Sequence, residues 1–218
     1  MASHEFRTPL SAILTSAILI EKQNEVGKEA RRLSHVSKIR TNVNNLVLIL
    51  NDFLSLSKLE EGKVVEVPEM VELIEFSTAL MEEFEGTKKN GQVLLFTCDF
   101  ATLTVCLDPK LLRHIVYNLL SNAIKYSEED KKITFSIDAD DQFLFLKISD
   151  QGMGIPKENQ INLFNRFYRA DNVTHIQGTG LGLNIVKQYT ELMGGTITFK
   201  SELNKGSSFY VTLPLKSN

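Results

Sequence analysis

The stretch DPKLLRHIVYNLLSNAIKYS, residues 108–127, decides how the rest of the chain is read. Asp108 has the residue type that caps a helix N-terminus, and Pro109 suits the first helical position, where its missing N–H is no loss. Leu111, Leu112, Ile115, Val116, Leu119, Leu120 and Ala123 recur at helical spacing and predict a buried face. His114, Asn118, Asn122 and Lys125 recur on another face. Two asparagines one turn apart can aim amide oxygens at a single cation or phosphate cluster, the pattern of a Mg²⁺ held partly by protein and partly by nucleotide. The same spacing also suits an ordinary solvated surface, so the helix acquires meaning only from what surrounds it.

Downstream, ISDQGMGIP at 148–156 puts Asp150 at the end of an expected strand, and Gly152 and Gly154 permit a turn that brings backbone close to a ligand. A carboxylate held there can accept a hydrogen bond from an exocyclic amine such as that of adenine. GTGLGL at 178–183 opens an expected helix, where free backbone N–H groups and the helix dipole favour phosphate. Its GxGxG spacing and the polar residues before it do not fit a dinucleotide fingerprint, and no GxxxxGK[ST] stretch occurs. Between the two lies NLFNRFYRADN, 162–172, expected as a lid with Phe164, Phe167 and Tyr168 as anchors and Arg166 and Arg169 within reach of a phosphoryl group.

The flanking pattern predicts a helix over 71–85, strands over 92–97, 103–107, 132–138 and 143–149, a helix over 181–193, and a terminal hairpin of TITFKSEL and SSFYVTLPL across NKG. Sequence-adjacent strands with helices between them imply an α+β sandwich whose helices cover one sheet face. Residues 3–60 read instead as two helices joined through EKQNEVGKE, 21–29. Phe6, Leu10, Ile13, Leu14, Ala17, Ile18 and Leu19 give the first an apolar face, with Pro9 as a kink inside it. In the second, Val36, Ile39, Val43, Leu46, Leu50 and Phe53, widened by Leu33, Val47 and Leu54, form a stripe too broad for one partner helix. The hairpin is therefore expected to dimerise into a four-helix bundle, with packing onto its own chain as the alternative. Gly62 ends the second helix and marks the boundary between domains 1–62 and 63–218.

Composition agrees with a globular chain of 218 residues, 43% hydrophobic. A formal net charge of −3 with no basic tract argues against nucleic-acid binding. Cys98 and Cys106 show no metal-site spacing and read as structural thiols in a reducing compartment. No apolar run is long enough to span a bilayer, so this chain is expected to be cytoplasmic and free of membrane contact.

Together and in this order, the stretches resemble the sensor histidine kinases of two-component signalling. SHEFRTPL, 3–10, is similar to the phosphoacceptor H box, HIVYNLLSNAIKYS to the N box, DQGMGIP to the G1 box, LFNRFYRAD to the F box and GTGLGL to the G2 box. The resemblance implies a dimeric helical-hairpin domain followed by an ATP-binding α/β sandwich shared with gyrase and heat-shock chaperone ATPases. It implies ATP and Mg²⁺ as cofactors and a response-regulator receiver domain as partner. His4 is then the nucleophile, Glu5 the base that orients it, Thr8 the residue that positions water for regulator dephosphorylation, and Arg169 a candidate for phosphoryl charge. Asn118 and Asn122 hold metal and phosphates, Lys125 and Tyr126 flank the nucleotide, and Asp150 takes the adenine amine. Gly152, Gly154, Ile155, Arg166, Tyr168, Gly178, Thr179, Gly180, Leu181 and Gly182 complete the nucleotide-binding set. Members of the family normally carry further helical turns before the phosphoacceptor and a membrane-anchored sensor upstream, so the first helix is read as shortened and the parent protein as membrane-anchored. Two other readings stay open: a nucleotide-binding regulatory or phosphatase module, and an ATP-gated clamp. The clamp needs a water-activating glutamate on the N-box helix, yet no acid lies between Lys110 and Tyr126.

Overall fold

A computed structural model describes residues 2–22, 28–173, 176 and 178–215. The chain divides into two compact units, Met1–Lys63 and Val64–Asn218. The first is an antiparallel pair of helices, α1 (Ala2–Lys22) and α2 (Glu29–Glu60). α1 runs on through Pro9, which is buried. α2 stops where its pattern requires: Gly62 adopts φ +63°, and the amides of Gly62 and Lys63 close on the carbonyls of Leu59 and Lys58 at 3.0 and 2.9 Å. The broad apolar stripe of α2 divides in two. Ile49 and Leu56 are buried and Ile39 and Leu46 half-buried, while Leu33, Val36, Val43, Val47, Leu50 and Leu54 remain exposed.

The second unit contains β1 (Glu69–Glu72), α3 (Leu73–Glu85), β2 (Val93–Cys98), β3 (Thr104–Leu107), α4 (Pro109–Tyr126), β4 (Lys132–Ala139), β5 (Phe143–Asp150), the short α5 (Lys157–Gln160), α6 (Gly182–Leu192), β6 (Thr196–Glu202) and β7 (Gly206–Pro214). Five strands form a mixed sheet in the order β2-β4-β5-β7-β6, antiparallel except for the β2–β4 pair. Alternation along each strand sets its two faces. Ile133, Phe135, Leu144, Leu146, Ile148, Val211 and Leu213 are buried, as are Leu112, Ile115, Leu119, Ile185 and Val186 from α4 and α6, which together with α3 pack on this sheet. Each such side chain contributes roughly 1.5–3 kcal/mol. Lys147 and Phe145 point the other way and are exposed.

Two sequence expectations are corrected. The helix expected from residue 71 begins at Leu73, because residues 69–72 pair as a strand with β3 in a separate two-stranded sheet. Glu72 closes that strand and caps α3, accepting from Glu75 N at 2.6 Å and Leu103 N at 2.8 Å. The segments expected as neighbouring strands, β2 and β3, lie in different sheets, and β2 pairs in parallel with β4 after the chain has passed through α4.

Candidate functional site

α4 is held at its start by Asp108. Oδ1 accepts from the amides of Lys110 and Leu111 at 2.8 and 3.0 Å, and Oδ2 accepts from Val67 N at 2.8 Å. The apolar face of α4 is buried, which leaves the Asn118–Asn122–Lys125 face half-buried along the edge of the core. Asn118 Nδ2 donates to the carbonyl of His114 at 2.9 Å. Its Oδ1 faces the start of α6, where a Cβ on Gly182 would lie 2.7 Å from it.

One turn of α4 further on, Asn122 and Tyr126 line a cavity of about 110 Å³ together with Asp150, Gly154, Ile155, Tyr168, Arg169, Gly180 and Gly182. Residues from all four sequence stretches of this unit therefore meet in one place. Asp150 accepts from Gly152 N at 2.8 Å and from Ser207 N at 3.2 Å, both on Oδ1. Burial pushes its carboxyl up to about 6 against the pull of those two amides. Lys125 is pulled down to about 8, chiefly by burial and next by the charge of Arg169. Its Nζ lies 4.8 Å from the centroid of the Tyr126 ring, and a Cβ on Gly178 would come within 2.5 Å of it. Burial raises the Tyr126 hydroxyl, with Arg169 opposing.

The glycines at 154 and 180 are steric requirements. Gly154 has φ +64°, and a Cβ there would stand 2.0 Å from the carbonyl oxygen of Glu202. Gly180 has φ +69°, and a Cβ there would stand 2.7 Å from the backbone of Phe167, itself at φ +58°. Thr179 Oγ1 accepts from Leu181 N at 3.1 Å, and the buried Leu181 seats the N-terminus of α6. That terminus presents its backbone amides beside Asn118, an arrangement suited to an anion.

The 162–173 segment supplies the opposite wall. Tyr168 accepts at its hydroxyl from Asn159 Nδ2 at 2.7 Å, and Phe164 packs edge-on against Phe199. Arg169 donates to the carbonyls of Val173, at 2.7 Å, and Ile176. Arg166 is exposed and is not among the residues lining the cavity. Thr8 is exposed on α1. His4 and Glu5 lie within α1, and their side chains fall outside the described residues. Two contributors escaped the sequence reading. Asn172 lines the cavity and donates to Gly154 O at 3.0 Å, while its buried Oδ1 meets no donor. Ser207 helps fix Asp150 from the far end of the chain. An asparagine and a serine in loop and strand contexts carry no spacing signal that would have found either.

Among the described residues no group of three or more His, Cys, Asp or Glu side chains is placed to hold a metal, and no helix is long and apolar enough to cross a membrane. A cation at this site would therefore draw on asparagine oxygens and on ligand phosphates.

Comparison with known proteins supplies the family. Residues 107–217 match the histidine kinase-, DNA gyrase B- and HSP90-like ATPase model, and residues 1–62 match the His Kinase A phospho-acceptor domain. The sensor histidine kinase WalK of Bacillus subtilis is 32% identical, over 98% of this chain and 36% of its own length. Histidine kinase AdeS of Acinetobacter baumannii shares the fold at a TM-score of 0.74 and 24% identity, over 98% of both chains. Full-length ShkA, solved in complex with AMPPNP, matches at a TM-score of 0.74 and 25% identity over 99% of this chain and 45% of its own. The chain spans less than half the length of the curated relatives it matches. With a phospho-acceptor domain in its first unit and an ATPase domain of this type in its second, the chain belongs to the sensor histidine kinases.

Proposed function

We propose that this chain is the core of an ATP-dependent protein-histidine kinase. His4 takes the γ-phosphoryl group of ATP and the phosphohistidine passes it to an aspartate in the receiver domain of a response regulator. The observation that carries the reading is the presence of both family domains in one chain, with every nucleotide-binding stretch of the second intact. The 1–62 hairpin is the dimerisation and phosphotransfer domain, and 63–218 is the catalytic one.

In this scheme the adenine amine donates to Asp150, whose Oδ2 is left for it by the two amides on Oδ1. Tyr126 and Ile155 wall the base and ribose. Lys125 and the amides at the start of α6 meet the phosphates. Asn118 and Asn122 would hold Mg²⁺ together with the phosphates, and the metal would supply charge neutralisation there. Glu5 holds the imidazole of His4 in its reactive tautomer and accepts its proton. The free imidazole nitrogen bonds to the γ-phosphorus in line as the bond to the β-bridging oxygen breaks, and ADP leaves with that electron pair. One terminal nitrogen of the Arg169 guanidinium donates to the loop carbonyls of Val173 and Ile176, which ties the arginine to the loop from which it would reach the phosphoryl group. Thr8, one turn after His4 in sequence, would orient the water that dephosphorylates the regulator. The setting is cytoplasmic, within a longer membrane-anchored parent.

The test is transfer of label from γ-labelled Mg-ATP to this chain and to His4→Gln, followed by acid and alkali treatment. Acid-labile, alkali-stable label in the unsubstituted chain and none in the variant is the expected result. Equal labelling of His4→Gln would sink the assignment of the nucleophile.

A further inference from the structure

We propose that Gln92, assisted by Lys89, is a positioning residue for nucleotide binding. It holds the last turn of α4 in the geometry that directs Lys125 and Tyr126 at the nucleotide. The inference rests on the nucleotide reading of the cavity.

A helix leaves its final carbonyls without intrahelical donors, and the usual remedy is a left-handed glycine just beyond the end. α4 has no such glycine. Its cap is Ser127, in extended conformation at φ −91° and ψ 146°, and the acidic residues that follow supply no side-chain donor. The carbonyls are satisfied from elsewhere in the chain. Gln92 is 2% exposed, and its Nε2 is shared among Ile124 O at 3.1 Å, Ser127 O at 3.2 Å and Glu128 O at 3.0 Å. Lys89 Nζ donates to Lys125 O at 2.8 Å and also to Ser127 O. Tyr126 O is taken by Met153 N at 3.2 Å, in the loop that follows Asp150.

The two donors form one preorganised unit. Gln92 N closes a turn on Lys89 O at 3.1 Å, and Gln92 Oε1 accepts from Lys89 N at 2.9 Å. Gly91 makes that turn at φ +70°, a backbone conformation that L side chains rarely adopt. The side-chain oxygen of Gln92 thus fixes the turn while its nitrogen fixes the helix.

The consequence reaches the cavity because the same turn of α4 does two jobs. Its Tyr126 side chain lines the cavity with Lys125 Nζ 4.8 Å from the centre of that ring, and its Tyr126 carbonyl anchors the 150–154 loop, close enough that a Cβ on Gly152 would lie 2.5 Å from it. Releasing the turn displaces the cation, the aromatic wall and the Asp150 loop together. A cap that served stability alone would have no such reach.

The experiment compares ATP affinity by calorimetry in the full chain, in Gln92→Met and in Lys89→Met, with amide exchange followed at residues 125–127 and at Met153. Gln92→Met keeps length and apolar bulk but strands the carbonyls of Ile124 and Glu128 and leaves Ser127 O to Lys89 alone, which lowers affinity by roughly tenfold or more. Lys89 is exposed, so Lys89→Met folds even where the buried variant fails, and it lowers affinity by about threefold to tenfold. Faster exchange at the turn accompanies both losses. Folded variants with faster exchange but affinity within about twofold of the unsubstituted chain would reduce Gln92 to a stabilising cap and overturn the proposal. Failure of the unsubstituted chain to bind ATP would overturn the nucleotide reading itself, and this inference with it.

Discussion

Asp150 is a carboxylate that the fold tolerates at a cost. Its folded value near 6 stands above the ordinary 3.8, so the native state binds the proton more tightly than the unfolded chain does. The stability it contributes is therefore full below about pH 4 and lost as pH rises through 6, leaving the ionised group to cost about 2–3 kcal/mol at neutral pH. Asp150→Asn removes that charge while an amide oxygen still serves Gly152 N and Ser207 N. The variant is expected to melt no lower than the unsubstituted chain at pH 7.5, and to bind ATP at least about tenfold more weakly, since an NH₂ donor would then face the adenine amine. Affinity of the unsubstituted chain should also fall below pH 6 as the acceptor is protonated. Calorimetry across pH with a thermal melt of each form checks both halves, and a variant that loses stability but keeps ATP would refute the assignment. That Asp150 ends a strand at a glycine turn was legible from the residues around it. That both amides converge on one of its oxygens was not, because Ser207 approaches from a strand 57 residues away.

At the scale of elements, α4 was legible end to end, since a cap, a proline and a seven-residue apolar face all specify the same helix. What the local pattern could not supply was partners. β2 and β3 are each apolar enough to be strands, but their separation into two sheets follows from pairings with β4 and β1, which no short-range signal encodes. β1 itself is four residues, too short for alternation to register. Its neighbourhood explains why Asp108 is 4% exposed: the carboxylate caps α4 with one oxygen and holds the Val67 amide with the other. Asp108→Ala should therefore destabilise the second unit by roughly 2 kcal/mol, a fall of about 4–8 °C in Tm. Asp108→Asn, which retains a capping oxygen, should recover most of it. Equal melting of the alanine variant and the unsubstituted chain would show that neither bond contributes.

The two units differ in how their exposed apolar side chains are arranged. Val64–Asn218 encloses its core, whereas Met1–Lys63 leaves apolar side chains outside on both helices. Leu33, Val36, Val43, Val47, Leu50 and Leu54 follow one another at steps of three, four or seven and stand 43–69% exposed, and Leu10, Leu14 and Ile18 recur at steps of four on α1, 41–62% exposed. A two-helix unit has no third element of its own to cover such a seam, and a second copy offers an identical one. The sequence already showed a stripe too wide for one partner, although only the structure separates its inward residues from its outward ones. Dimerisation through this seam places each substitution in the interface twice. Leu50→Asp is then expected to weaken association by roughly 3–6 kcal/mol and shift the chain to monomer in sedimentation at micromolar concentration. ATP affinity should be unchanged, because the residues that line the cavity all lie in the other unit. A Leu50→Asp chain that still sediments as a dimer would move the interface off this face, and one that also lost ATP binding would contradict the independence of the two units.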